Sequence, residues 1–168
     1  MKSRPLEIST PSALEIRMLR LFTAPRTLVF EAFTRPELLL RWMFGPDGWS
    51  FESCAVDLRP GGSYRYVWLR ERDGVRMGAG GVFREVIAPV RIISTERFDD
   101  AWYAGDALNT LEFTERSPGV TLVTQTLLYE SQAARDAVLS SGMERGIDAG
   151  YARLDAIFSA SPPAGEPI

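Results

Sequence analysis

Aromatic and acidic residues carry most of the chemistry open to this sequence. Tyr64, Tyr66 and Trp68 fall at alternate positions in the run 63–70. Alternate side chains of a strand share one face. Two phenols and an indole on one face can line a pocket, with the hydroxyls as polar handles for a ligand. The same face can instead pack against a helix or stand as an exposed ladder, although phenols in a dry core would each need a partner. Glu96 and Glu112 also lie in strand-like runs. An inward carboxyl there can serve as general base or hydrogen-bond acceptor, its pKa raised by burial. An outward one is solvated, paired with a cation such as Arg84 or Arg97.

What the sequence lacks narrows the chemistry. It contains no histidine and a single cysteine, Cys54. Histidine-dependent triads, histidine metal ligands and cysteine-rich metal sites are excluded, and no intrachain disulfide can form. Lys2 is the only lysine, which argues against a Schiff-base mechanism. Cys54 reads as a small core residue. Asp99, Asp100 and Asp106 form an acidic loop without EF-hand spacing, so no metal or other cofactor is expected. Asp57 and Arg59 read as stabilisers of a hairpin.

Other aromatic residues gather near turns. Trp42, Phe44 and Trp49 flank Gly45-Pro46-Asp47-Gly48, as either the lid of a cavity mouth or a cluster locking short helices to a sheet. Trp102 and Tyr103 lie in the loop 99–106, as either a mobile gate or a dimer contact.

The elements that position these residues follow from pattern. Residues 1–12 contain Pro5 and Pro11, show no periodicity and read as a disordered leader. Alternation over 13–22 gives a strand. Pro25 and Pro36 open two short helices. A succession of strands follows, separated by turn sequences such as Pro60-Gly61-Gly62, Arg72-Asp73-Gly74 and Ser117-Pro118-Gly119. Gly78, Gly80 and Gly81 suggest a bend or bulge in a strongly curved sheet. Short connections imply antiparallel pairing, with about seven strands.

The last element is an amphipathic helix over 131–160, capped by Ser131. Leu139, Met143, Ile147, Tyr151, Leu154 and Phe158 recur at steps of three and four. Gly142, Gly146 and Gly150 lie beside that row, each costing about 1 kcal/mol relative to Ala. Either they allow tight packing against strands or small helices, or they leave room for a ligand. On the second reading Met143, Ile147 and Tyr151 form the inner wall of a pocket. The tail 161–168 has a disordered composition.

The length of 168 residues and a hydrophobic fraction of 45% suit one globular domain, placed at 13–160. The net charge of −3 is spread without a basic block, so nucleic acid is not an expected partner. No apolar run approaches the roughly 18 residues of a membrane span, and no signal peptide is evident, which sets a cytoplasmic address as the expectation.

Four stretches stand out by their order and spacing: Ala24-Pro25-Arg26 through Gly45-Pro46, Asp57 to Tyr64, Gly81 to Val86 with Pro89 and Arg91-Ile92, and Gly142 to Gly146 with Arg153-Leu154. Together they resemble the helix-grip superfamily that includes the birch-pollen allergen, START lipid-transfer domains and polyketide aromatase/cyclases (the SRPBCC group). Within it the chain is most similar to the family related to the C-terminal domain of the activator of the heat-shock-protein-90 ATPase. The resemblance implies an α+β helix-grip fold, in which a curved antiparallel sheet wraps a long C-terminal helix and two short helices follow the first strand. It also implies a hydrophobic cavity between sheet and helix. The family often has Trp where this chain has Ile147, and a Trp-rich turn at Met43-Phe44.

The expected function is therefore binding of a small hydrophobic or aromatic ligand, with Tyr64, Tyr66, Trp68, Trp42, Phe44, Trp49, Trp102, Met143, Ile147 and Tyr151 around it. A cyclase- or hydrolase-type enzyme in the same cavity is the alternative. By analogy alone, so is a chaperone partner for a monomer or homodimer.

Overall fold

A computed structural model describes residues 5–160. The chain runs β1 (Glu7–Ser9), β2 (Glu15–Phe22), α1 (Arg26–Ala32), α2 (Pro36–Leu39), β3 (Trp49–Val56), β4 (Ser63–Arg70) and β5 (Val75–Ile87). It continues with β6 (Arg91–Phe98), β7 (Ala107–Ser117), β8 (Val120–Leu128), α3 (Gln132–Leu139) and α4 (Met143–Ala160). The strands form one curved antiparallel sheet of eight, ordered β1-β2-β8-β7-β6-β5-β4-β3. From β3 to β8 the chain meanders, each strand pairing with the next, and β8 closes against β2. The architecture is α+β and helix-grip.

Alternation decides which side chains face the helix. Along β2, Ile16, Met18, Arg20 and Phe22 are buried and their neighbours half-buried. The one charge in that inward row, Arg20, makes a two-pronged pair with Asp155 of α4 at 3.1 and 2.6 Å. That bond ties the helix to the sheet.

Two buried clusters flank the concave face. The larger joins Phe22, Val29, Phe30, Leu39, Trp42, Tyr64, Phe83, Phe113, Tyr151, Leu154 and Phe158. The smaller joins Ile16, Met18, Tyr103, Leu127, Tyr129, Ala134 and Val138. Ile147 packs against both.

Three sequence expectations need correction. The leader is not wholly irregular: Glu7–Ser9 pairs with β2, and Leu6 packs against both clusters, giving eight strands rather than about seven. Residues 1–4 and 161–168 lie outside the described residues. The C-terminal helix is two helices. Ser131 caps α3, its Oγ accepting from the Ala134 N–H at 3.1 Å, but the chain breaks after Leu139 and restarts at Met143. Gly142 occupies the break with φ +80, a conformation that costs glycine little and other residues more. Leu139 is consequently exposed rather than part of the buried stripe.

The third correction concerns β5. Its register shifts at Arg84, between Phe83 and Glu85, and runs unbroken through Gly78, Gly80 and Gly81. Those glycines answer close approach instead. A Cβ on Gly81 would sit 1.8 Å from the Thr95 carbonyl oxygen.

The remaining helix glycines face the chain after α2. A Cβ on Gly150 would lie 3.2 Å from the Trp42 carbonyl oxygen and 3.3 Å from its ring. On Gly146 it would meet Pro46 at an ordinary 3.4 Å. Close packing therefore explains Gly150, while Gly146 has space for a methyl. Gly146→Ala is expected to stabilise the fold by about 0.5–1 kcal/mol through helix propensity. Gly150→Leu should destabilise it by about 1–3 kcal/mol through overpacking on Trp42. Urea unfolding of the two variants checks both; equal effects would refute the distinction.

Candidate functional site

Between the two clusters the concave face is not filled. A cavity of about 460 Å³ lies there, within the range typical of small-molecule sites. Its floor is the sheet and its roof is the start of α4. The strand pleat sets the floor: Tyr64, Tyr66 and Trp68 of β4 and Ile92, Ser94, Glu96 and Phe98 of β6 all point inward at alternate positions. Residues 42–46, the Ser141–Gly142 break and Trp102 contribute to the surround.

All ten residues singled out from the sequence border this one cavity, in different ways. On β4, Tyr64, Tyr66 and Trp68 stack in series, with ring centroids 5.0 and 5.7 Å apart. Tyr64 donates its hydroxyl to the Thr95 carbonyl at 2.7 Å, and Trp68 donates its indole N–H to the Met43 carbonyl at 2.8 Å. Trp42 is buried, donates to the Ala32 carbonyl at 2.9 Å, and belongs to the larger core cluster. It closes one end of the cavity as a packed wall rather than a lid.

Phe44 lies under the Arg153 guanidinium at 3.8 Å, and that group also reaches the Gly45 carbonyl at 2.6 Å. Arg153 thus fastens residues 42–47 to α4. Trp49 sits beneath Arg70. Trp102 is 46% exposed, stacks on Phe98 and Tyr103, and directs its indole N–H to the Ala137 carbonyl of α3 at 3.3 Å. Met143 and Ile147 are half-buried, and Tyr151 is buried against Phe22 and Trp42.

Of the two strand acids, Glu96 faces the cavity, whereas Glu112 is on the exposed side. Arg97, one candidate partner for Glu96, pairs with Asp106 instead. The Glu96 carboxyl has no hydrogen bond or ion pair among the described residues. It keeps some accessibility because it borders the cavity, but it lies deep in protein mass, and burial raises its pKa to about 7. Its charge in turn acts on Tyr64, Tyr66, Tyr103 and Tyr129. Burial chiefly, and Glu96 secondarily, push these phenols above their ordinary range, Tyr103 to about 12. They are hydrogen-bonding groups at neutral pH, not bases. Tyr103 Oη is buried without a partner. Cys54 is half-buried and burial lifts its thiol to about 11, so it is an unreactive packing group.

Sequence reasoning missed a polar band across the floor. Ser94 and Asn109 are cross-strand partners on β6 and β7, and Gln125 of β8 donates its amide to Asn109 Oδ1 at 3.0 Å. Tyr129 and Met18 complete this side. The signal was present: Asn109 and Gln125 each precede an inward leucine, Leu111 or Leu127, by two positions, which fixes their side of the sheet.

The chain can be set against known proteins. The model of the family described as activator of Hsp90 ATPase homolog 1-like protein matches residues 23–159. No curated protein matches the chain in sequence. Among solved structures it is similar to a Rhodobacter sphaeroides protein, at 30% identity and TM-score 0.87, over 94% of this chain and 100% of that one. It is also similar to protein Ms6760 of Mycobacterium smegmatis, at 24% identity and TM-score 0.81, over 94% of this chain and 99% of that one. The fold extends to PFC0360w, an Hsp90 activator from Plasmodium falciparum, at 18% identity and TM-score 0.62, over 87% of this chain and 96% of that one. Among the described residues no helix is long and apolar enough to cross a membrane. With a match that runs from α1 through the sheet from β3 to β8 and into α4, the chain belongs to the activator of Hsp90 ATPase homolog 1-like family.

Proposed function

We propose that this protein binds a small, mostly apolar molecule in the cavity between sheet and α4. One observation carries the reading. The cavity is walled by aromatic and aliphatic side chains, yet Glu96, Tyr66 and Tyr129 line it and their side chains make no hydrogen bond among the described residues. Polar groups in an apolar enclosure gain from a hydrogen-bond partner. A ligand with an apolar body and a polar head supplies both the missing packing and the missing hydrogen bonds. The residues that would hold it are Tyr64, Tyr66 and Trp68 below, Met143, Ile147 and Tyr151 above, and Trp42, Phe44, Trp49 and Trp102 at the ends.

A second reading draws on Glu96. A carboxyl with a pKa of about 7 can take or give a proton near neutral pH, which is what a cyclase or hydrolase in the same cavity would need. The family's description supports a third role, stimulation of an Hsp90 ATPase. Its test is the ATPase rate of Hsp90 with and without this protein, and an unchanged rate removes it.

Ile147→Trp fills the cavity from the roof while keeping an apolar residue on the helix. Binding of the apolar fluorophore N-phenyl-1-naphthylamine is expected for the wild type and weakened at least about tenfold by the substitution, with the circular dichroism spectrum retained. No binding, or binding indifferent to Ile147→Trp, would count against ligand binding in this cavity.

The unliganded protein also bears the cost of Glu96. Its folded pKa is raised above the ordinary value of 4.5, so the folded state holds the proton more tightly than the unfolded chain does. The associated stability is present below about pH 4.5 and is lost as pH rises to about 7. Relative to Glu96→Gln, wild-type unfolding free energy should fall by at most about 3 kcal/mol across that window. Denaturant titrations at several pH values measure this, and parallel pH profiles would show that Glu96 is not desolvated.

A further inference from the structure

The cavity wall is electrostatically one-sided. Among the described residues Glu96 is the only acidic one along it, and no lysine or arginine borders it. The nearby arginines are committed elsewhere: Arg20 to Asp155, Arg97 to Asp106, and Arg153 to Asp47 and the Gly45 carbonyl. A carboxylate, sulfonate or phosphate entering the cavity would be desolvated with no cation to meet it and with Glu96 to repel it. A fatty acid is therefore poorly suited, despite the apolar walls.

The neighbours of Glu96 indicate what suits the site instead. Tyr64 and Tyr66 of β4, Tyr103 of the loop after β6, and Tyr129 after β8 are the titratable groups that interact with it. None carries positive charge. Their phenols, together with the π faces of Tyr64, Tyr66 and Trp68, favour a cation twice over: hydroxyl oxygens accept hydrogen bonds, and aromatic faces attract positive charge. An ammonium donates up to three hydrogen bonds and accepts none, which complements an acceptor-only carboxylate surrounded by phenol oxygens.

We infer that the ligand is an amphipathic amine, with an aromatic or aliphatic body in the apolar part of the cavity and its protonated nitrogen on Glu96. This inference rests on the ligand-binding reading above and narrows it to one chemical class. The carboxylate form of Glu96 is the binding form, since the proton it carries in the unliganded protein must leave when the ammonium arrives. Binding consequently releases a proton to solvent near neutral pH and strengthens as pH rises, until the amine itself begins to lose its charge.

Three probes that share one body separate the possibilities: 4-phenylbutylamine, 4-phenylbutanol and 4-phenylbutyrate. Each is titrated calorimetrically into the wild-type protein and into Glu96→Gln, with displacement of N-phenyl-1-naphthylamine as a second readout. At about pH 8 the amine should bind at least about tenfold more tightly than the alcohol, and the carboxylate should bind most weakly. Glu96→Gln should bring the amine to within about threefold of the alcohol.

The wild type alone gives an independent check should the variant misfold. Amine affinity should rise about tenfold or more between about pH 5.5 and about pH 8, while alcohol affinity stays flat. Three probes that bind alike, or an amine preference that survives Glu96→Gln or shows no pH dependence, would overturn the assignment to Glu96 and leave ligand binding standing. Failure of every probe and of the fluorophore would instead remove ligand binding itself, and the amine assignment with it.

Discussion

The interlocked aromatic cluster around Tyr151 is the constraint on which the rest of the structure depends. Phe22 from β2, Phe33 after α1, Trp42 after α2 and Tyr151 from α4 meet with ring centroids 4.9 to 6.2 Å apart. Phe158 and Phe113 extend the contact to the next turns of the helix and to β7. Edge-to-face and tilted contacts of this kind add to area burial and define geometry. They pin the C-terminal half of α4 to one end of the sheet and to both short helices at once. Arg20 and Asp155 add a directional bond at the same end, and Arg153 fastens the following loop.

Anchoring at that end leaves the other half of α4 free of the sheet. The second cluster, around Met18, Leu127, Tyr129 and Val138, packs under α3, and the chain breaks at Gly142 between the two helices. A single straight helix fixed at both ends would lie along one line. Two helices with a left-handed glycine between them serve two separate cores and span the space that remains. The cavity is thus a consequence of how the helices are held. It occupies the gap between two well-packed ends, with Ile147 of α4 touching both.

Much of this was legible in the sequence. Alternation grouped the faces of β2 and β4, turn residues located the hairpins, and the 3.6-residue period located the C-terminal helical segment. Tyr64, Tyr66 and Trp68 were placed on one face because a pleat leaves no other choice. What escaped was set by tertiary structure. Strand β1 has three residues and no pattern of its own, and exists because β2 presents an edge. The helix break is local, but its glycine fits equally well into the row Gly142, Gly146, Gly150, so spacing suggested continuity. The glycines of β5 suggested a bulge, because sequence cannot distinguish a position that bends from one that is crowded by the next strand. The band Ser94, Asn109 and Gln125 is harder to read because polar strand residues are usually solvated, and the spacing of Asn109 and Gln125 to Leu111 and Leu127 counts only once those leucines are known to face inward.

Glu96 ties the energetics of the fold to its chemistry. It sits between inward Ser94 and Phe98 on β6, where an apolar side chain would fill space and carry no desolvation cost. A fold held at both ends by aromatic packing can sustain one ionisable group in the middle, because the loss is small beside the burial that surrounds it. The same low-polarity surroundings that raise the cost of the charge amplify its attraction for a complementary group. Discrimination between head groups therefore does not require many contacts. On the proposed reading, one carboxyl with no internal partner, in a cavity bordered by no cation among the described residues, would be sufficient to separate ligands by the sign of their charge, while the aromatic walls would accept a range of apolar bodies.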